Sequence, residues 1–302
     1  MTPKKSAEII GVPLDFGANM RGANLGPYAI RIAGLHDKLA KMNYEIHDAG
    51  NIQVPIRETL KKPSEKYLEE IFSICKELHS ITAQALNNDH IPIVLGGDHS
   101  IAMGSISAAN NYAKNKGSEL GLIWIDAHAD LNIPETSPTG NIHGMPLATL
   151  LGKGHSQLVG LSQNHFLKPE NVALIGIRDI DGLEKEICRN SGIRYYTMRE
   201  IDERGMHKIM KEVIQNLEKN CNHMYISLDM DGIDPAYAPG VSTPVTGGLS
   251  YRETHLILEM IADTQKLIGM DLVELNPMTD IQHKSAYLAV ELIQSALGKS
   301  IV

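Results

Sequence analysis

Leu122-Ile123-Trp124-Ile125-Asp126-Ala127-His128-Ala129-Asp130 runs from an apolar segment straight into three residues that can bind a metal ion. The same join occurs twice more. Ile91 to Leu95 leads into Gly96-Gly97-Asp98-His99-Ser100, and Tyr225 to Leu228 leads into Asp229-Met230-Asp231-Gly232-Ile233-Asp234-Pro235. Short apolar runs bounded by Gly or Asp read as buried strands. Polar residues placed just past strand ends lie where an open α/β sheet puts its binding crevice.

Working outward, Glu8 to Val12 reads as a first strand, and Val172–Ile177 and Leu267–Val273 as further ones. Helical periodicity marks Pro27–Met42, Tyr67–Leu86, a segment after Ser100 that stops near Gly117, Arg204–Leu217, Tyr251–Thr264 and Ser285–Leu297. Strands alternating with helices imply crossover connections and a doubly wound, mainly parallel sheet with helices on both faces. The length of 302 residues allows two domains. Ligands from positions 99 to 231 must converge, however, so one α/β domain over residues 1–302 is expected. Residues 52–64 read as a surface excursion, and Ile133 to Met145 is the longest irregular stretch. That stretch follows a metal block directly, which makes it a candidate active-site loop.

Extended, Asp126 to Asp130 would span roughly 13 Å at about 3.3 Å per residue, too far for one ion. Side chains 126, 128 and 130 share a strand face, so the chain must curl after Asp126. A pair of ions about 3.5–4 Å apart relaxes the requirement. Two imidazoles and four carboxylates suit a hard divalent ion such as manganese better than a thiolate zinc site, and the carboxylate number points to two ions. Alone, an Asp-x-His-x-Asp is ordinarily a solvated loop and a Gly-Gly-Asp-His a turn. Three such blocks at three strand ends are hard to explain as turns.

The hydrophobic fraction of 43% fits an ordinary globular enzyme. A net charge of −8 without a basic tract disfavours nucleic acid and anionic membrane surfaces. No apolar run approaches the ~20 residues of a membrane span, and the start through Ser6 lacks a leader's apolar stretch. Cys75, Cys188 and Cys221 show no paired spacing, so a reducing cytoplasm is the expected location.

In order and spacing, the blocks at 96–100, 126–130 and 227–235 resemble the manganese-binding signatures of the ureohydrolase family. The segments 9–13, 21–27, 137–146, 243–253 and 274–277 further resemble arginases, most closely of the bacterial type, so the likeness covers nearly the whole chain. The resemblance implies an arginase-like hydrolase that cleaves L-arginine to L-ornithine and urea through a metal-bridging hydroxide. Two Mn2+ per chain would be held by His99, Asp126, His128, Asp130, Asp229 and Asp231. It implies His143 as proton shuttle, Glu274 as partner of the guanidinium and Asp130 as proton carrier to the leaving amine. Asp181 and Glu184 would serve the α-amino group, and Asn132, Thr139 and Asn141 the α-carboxylate. Thr243 would lie near the ions. Arginases usually carry Ser where this chain has Thr139, so the hydroxyl survives but the added methyl alters the fit.

Read without the family, His143 is more often a surface residue, Glu274 is as readily a cap or surface charge, and Asp181 and Glu184 fit a charged loop with helix-capping acids. His36, His47 and His255 read as surface or satisfied polar residues. The resemblance also implies a homotrimer or homohexamer, with Tyr251-Arg252-Glu253 either at the interface or simply a charged helix start. The competing readings are a sister ureohydrolase for agmatine, guanidinobutyrate or formiminoglutamate, and a non-catalytic relative. The last would be expected to lose ligands, or the pair His143 and Glu274, and all are present.

Overall fold

The computed structural model describes residues 5–61 and 63–299; the first four residues, on which part of the leader reading rests, lie outside them. Eight strands form one sheet: β1 (Ser6–Gly11), β2 (Glu45–Asn51), β3 (His90–Leu95), β4 (Glu119–Ile125), β5 (Val172–Ile177), β6 (Arg194–Thr197), β7 (Cys221–Asp229) and β8 (Leu267–Val273). They lie in the order β2-β1-β3-β8-β7-β4-β5-β6, and every neighbouring pair is parallel.

The alternation of side chains along each strand divides the core. Ile9, Ile93, Ile123 and Ile175 pack with the helices Gly26–Ile32, Leu35–Ala40, Met206–Leu217, Tyr251–Asp263 and Lys284–Ala296. Their chain neighbours Ile10, Val94, Trp124 and Leu174 face the other way, toward the helices Leu68–Asn87 and Ala102–Asn115. A sheet covered on both faces explains why the central strands read as unbroken apolar runs. The doubly wound α/β expectation is met.

Three local expectations are corrected. The single helix foreseen over Pro27–Met42 is two, Gly26–Ile32 and Leu35–Ala40, because Gly34 turns left-handed at φ 90° and re-aims the chain. The edge strands β2 and β6 were not foreseen. The sequence of β2, Glu45-Ile46-His47-Asp48-Ala49-Gly50-Asn51, is polar and mostly exposed, as an edge permits. The acids after β5, which without the family fit a charged loop with helix-capping acids, flank the start of the helix Gly182–Asn190, with Glu184 inside its first turn rather than in a loop. Asp181 stands at that helix's N-cap position, but its side chain makes no capping bond there. The segment Tyr251–Glu253 opens its helix with a capping box in which Ser250 and Glu253 satisfy each other's backbone N–H groups.

What the topology supplies is a meeting point. β3, β8, β7 and β4 are consecutive in the sheet. Their carboxyl ends therefore bring His99, Glu274, Asp229 and Asp126 to adjacent positions in the centre of one edge.

Candidate metal centre

The turn after β3 can exist only with glycine. A Cβ at Gly97 would lie 1.7 Å from the Leu14 carbonyl oxygen, so the backbones of the two turns touch. That approach lets Asp98 accept from Gly17 N–H (2.8 Å) and from Ser100 N–H (3.0 Å), fixing the short turn His99–Ile101. After β4 the chain curls as expected: the strand stops at Ile125, and Asp130 sits in the left-handed region at φ 52°. Glu274 does the same after β8, at φ 60°. Strained backbone at two acidic residues in one cleft is held there by the surrounding structure. Leu147 and Ala148 N–H donate to the Asp130 carbonyl, and Glu274 N–H donates to that of Gly97.

The six expected ligands converge. His99 Nδ1 lies 3.2 Å from Asp126 Oδ2, 3.1 Å from Asp130 Oδ2 and 3.2 Å from Asp229 Oδ2. His128 Nδ1 lies 3.1 Å from Asp231 Oδ2 and 3.4 Å from Asp126 Oδ1. Two compact groups result, His99–Asp126–Asp130 and Asp126–His128–Asp231, with Asp126 common to both. Although surrounded by carboxylate oxygens, the buried His99 Nδ1 has no hydrogen-bond partner of acceptable geometry. A nitrogen aimed between three acceptors rather than at any of them fits a position for a cation. The oxygen-rich donor set fits a hard divalent ion.

The remaining residues line one cleft of about 220 Å³ with this cluster at its floor. His143 Nδ1 and His99 N–H both meet Glu274 Oε1, at 3.0 and 2.9 Å, while Glu274 Oε2 is buried without a partner. Glu184 accepts from Leu131 N–H at 2.7 Å, and Asn132 Nδ2 donates to Asp181 at 3.2 Å. Thr139 Oγ1 accepts from Asn141 N–H at 3.2 Å, which leaves its own hydroxyl hydrogen free. Thr243 donates to Asp231 Oδ2 at 2.8 Å, so it steadies a member of the cluster. Asp126 alone of the expected residues lies behind the cleft wall, fully buried. Of the other histidines, His36 and His47 are exposed, whereas His255 is buried with Nδ1 2.8 Å from Ser295 Oγ.

Sequence reasoning missed the supports. Trp124 donates to Asp126 Oδ2 at 3.0 Å and stacks on the His99 ring at 4.1 Å between centroids. Ser227 Oγ lies 2.9 Å from His99 Nε2. Each stands two residues before an acid of the cluster, and that spacing was the available signal. Asp98, Ser137 and Asp179 were also passed over; the last two line the cleft.

Electrostatically the cluster repels itself when empty. Burial, then Asp126, pushes the Asp130 carboxyl up to about 6, and burial with Asp130 pushes Glu184 up to about 7. Burial and neighbouring carboxylates raise Asp229 and Asp231 as well. Burial alone would lower His99 and His128, but the surrounding carboxylates hold both well above the usual imidazole range. Asp126 stays low because the two imidazoles outweigh its burial.

These raised carboxyls sit above their unfolded value of about 4, so the folded chain retains protons the unfolded chain has released. That contribution to stability is complete below about pH 4 and is lost as the pH rises through 6 and 7; the imidazoles act in the same direction above about 6.5. Metal-free protein is therefore expected to melt at a lower temperature at about pH 7.5 than at about pH 5.5, with a bound divalent cation reversing the loss. Thermal unfolding with and without chelator checks this, and a metal-free Tm that rises over the interval contradicts it.

Comparison with known proteins agrees with the geometry. The sequence profile of the Arginase family matches residues 5–298. The chain is 44% identical over 300 residues to an arginase of Brevibacillus brevis, covering 99% of each. It superposes on the native crystal structure of Bacillus caldovelox arginase at pH 5.6 with a TM-score of 0.94 and 42% identity, covering 99% of this chain and all of that one. A formimidoylglutamase structure from Bacillus subtilis is more distant, at 25% identity and a TM-score of 0.78 over 98% of this chain and 88% of that one.

Proposed function

The chain belongs to the arginase family and is a hydrolase of that family, and from this premise we propose that it is a manganese enzyme splitting L-arginine into L-ornithine and urea. The observation that carries the reading is the pair of ligand groups sharing Asp126 at the floor of a cleft whose loop side offers neutral hydrogen-bonding side chains. His99, Asp130 and Asp229 with Asp126 would hold one ion, and His128 and Asp231 with Asp126 the other. A bound pair supplies Lewis acidity and a hydroxide nucleophile near neutral pH, as the resonance-stabilised guanidinium carbon requires.

The chain's own groups do the rest. Glu274 offers its unpartnered Oε2 to the planar guanidinium, which suits paired contacts with a carboxylate. Breaking the C–N bond requires a proton on the departing nitrogen, and Asp130, a carboxylate of the cluster that also lines the cleft, is placed to carry it. For His143, burial works against protonation, but Glu274 more than compensates and raises the ring to about 9. With Nδ1 engaged by Glu274, Nε2 remains to exchange protons with solvent. Asp181 and Glu184 receive the α-amino group, and Asn132, Thr139 and Asn141 the α-carboxylate.

The three cysteines are free and buried, which is consistent with a reducing cytoplasm, and among the described residues no helix is long and apolar enough to cross a membrane. Assembly as a homotrimer or homohexamer is part of the same reading, and large apolar side chains left exposed, among them Tyr28, Ile32, Met278 and Tyr287, are compatible with a subunit interface.

Urea release from arginine and agmatine by manganese-loaded protein tests the substrate. Agmatine lacks the carboxylate, and a site built to hydrogen-bond a group rejects analogues without it by up to about 10⁴–10⁵. Partial hydration of these donors lowers the expected preference to about 10²–10⁴ in kcat/KM. Equal turnover of agmatine would leave ureohydrolase chemistry standing and refute arginine as the substrate.

A further inference from the structure

Lys66 and Tyr67 are consecutive non-glycine residues in the left-handed region, at φ 51°, ψ 25° and φ 57°, ψ 28°. That conformation is unfavourable for residues with a Cβ, so contacts elsewhere must impose it. They are visible. The Tyr67 hydroxyl accepts from Arg57 Nε at 2.9 Å, and the Arg57 guanidinium lies 4.5 Å from the centre of the Tyr67 ring. The same ring packs on Phe16 at 5.0 Å. Phe16 adjoins Gly17, whose N–H donates to Asp98 and whose carbonyl accepts from His143 N–H. The strained pair is thus tied to the wall that carries His143.

The consequence is where the Lys66 stem lies. A Cβ built on Gly140 would be 3.1 Å from Lys66 Cε and 3.8 Å from its Cγ, so the stem runs across that glycine. Gly140 separates Thr139 from Asn141, and both line the cleft. The lysines that pair with carboxylates among the described residues are Lys114, Lys168 and Lys266, which leaves the exposed Lys66 without an ion pair. Seven carboxylates line the cleft, whereas its loop end is neutral. The loop side chains that line that end are uncharged, so the loop itself offers a substrate carboxylate no cation.

We propose that Lys66 is a specificity-determining positioning residue, whose charge beside Thr139–Asn141 draws the substrate's α-carboxylate to the loop and so favours an amino acid over its decarboxylated amine. The proposal rests on the arginine reading of the cleft. Unit charges a few ångströms apart across a partly hydrated rim interact enough for roughly a threefold to tenfold effect.

The test uses full-length, manganese-loaded protein and two variants. Lys66→Met keeps the stem on Gly140 and removes the charge, while Lys66→Arg keeps the charge. Lys66→Met is expected to raise KM for arginine roughly threefold to tenfold with kcat little changed, to leave kcat/KM for agmatine unaltered, and to flatten the rise of arginine KM with salt. Lys66→Arg is expected to restore the wild-type KM. An unchanged arginine KM in Lys66→Met, or an equal loss for both substrates, overturns the proposal. Wild-type protein releasing no urea from arginine would overturn the arginine reading itself, and the proposal with it.

Discussion

Glu274→Gln is expected to lower kcat/KM for arginine to the upper end of a 10²–10⁴-fold loss, or beyond it, while metal content stays near that of the wild type. Glu274 is 2% exposed; His143 and His99 N–H engage its Oε1, while its Oε2 has no protein partner and is free to meet a guanidinium. Removing one member of a buried charge pair costs roughly 3–5 kcal/mol, about two to four decades in rate. The amide places an N–H₂ where a guanidinium needs an acceptor, which adds to the loss. Its remaining carbonyl can still accept from His99 N–H, so the turn holding the ligand survives. His143→Ala should cost less, within the 10²–10⁴ typical of a lost proton-transfer group, since solvent buffer can substitute for an imidazole at the cleft rim. Wild-type turnover in either variant would show that these residues do not face the reacting group.

Asp126→Asn should abolish urea release and empty both metal positions, whereas Asp231→Asn should empty one. The asymmetry follows from Asp126 being the member common to both ligand groups. It is also the carboxylate of the cluster held lowest, by His128 and His99, and the Trp124 indole donates to it. Asp126 Oδ1 accepts from the His128 backbone N–H at 2.7 Å and Oδ2 from Trp124, so an amide of the same size removes the charge and cannot accept from both. Metal analysis of the purified variants reads the outcome. Two ions retained in Asp126→Asn, with wild-type urea release, would contradict the shared-ligand arrangement.

The parts of this molecule that were legible in the sequence are those decided by local pattern. The runs Ile91–Leu95, Leu122–Ile125 and Tyr225–Leu228 announced central strands, because burial on both faces demands unbroken apolar residues. The acids and imidazoles directly after them could be placed at one sheet edge without knowing the strand order. Order itself was not legible: that β8 lies between β3 and β7, putting Glu274 against His99 and His143, is decided by packing across the whole sheet. Edge strands were lost for the opposite reason. β2 is polar because one side of an edge faces solvent, and a polar strand carries no hydrophobic signal. Gly34 was visible as a glycine, but only its left-handed geometry divides the helix. The supports were the least visible, since Trp124 and Ser227 read as ordinary strand residues until Asp126 and His99 are seen beside them. Lys66 belongs to a segment some seventy residues from the loop it touches, a juxtaposition no spacing rule announces.

A metal titration reads the two-ion cluster directly. Stripped protein is reloaded with manganese in steps, and bound metal and urea release from arginine are measured on each sample. Two ligand groups joined through Asp126 predict that bound manganese saturates at two ions per chain and that full urea release is reached only with the second. Full activity at one ion per chain, or urea release from protein that remains metal-free, would contradict it.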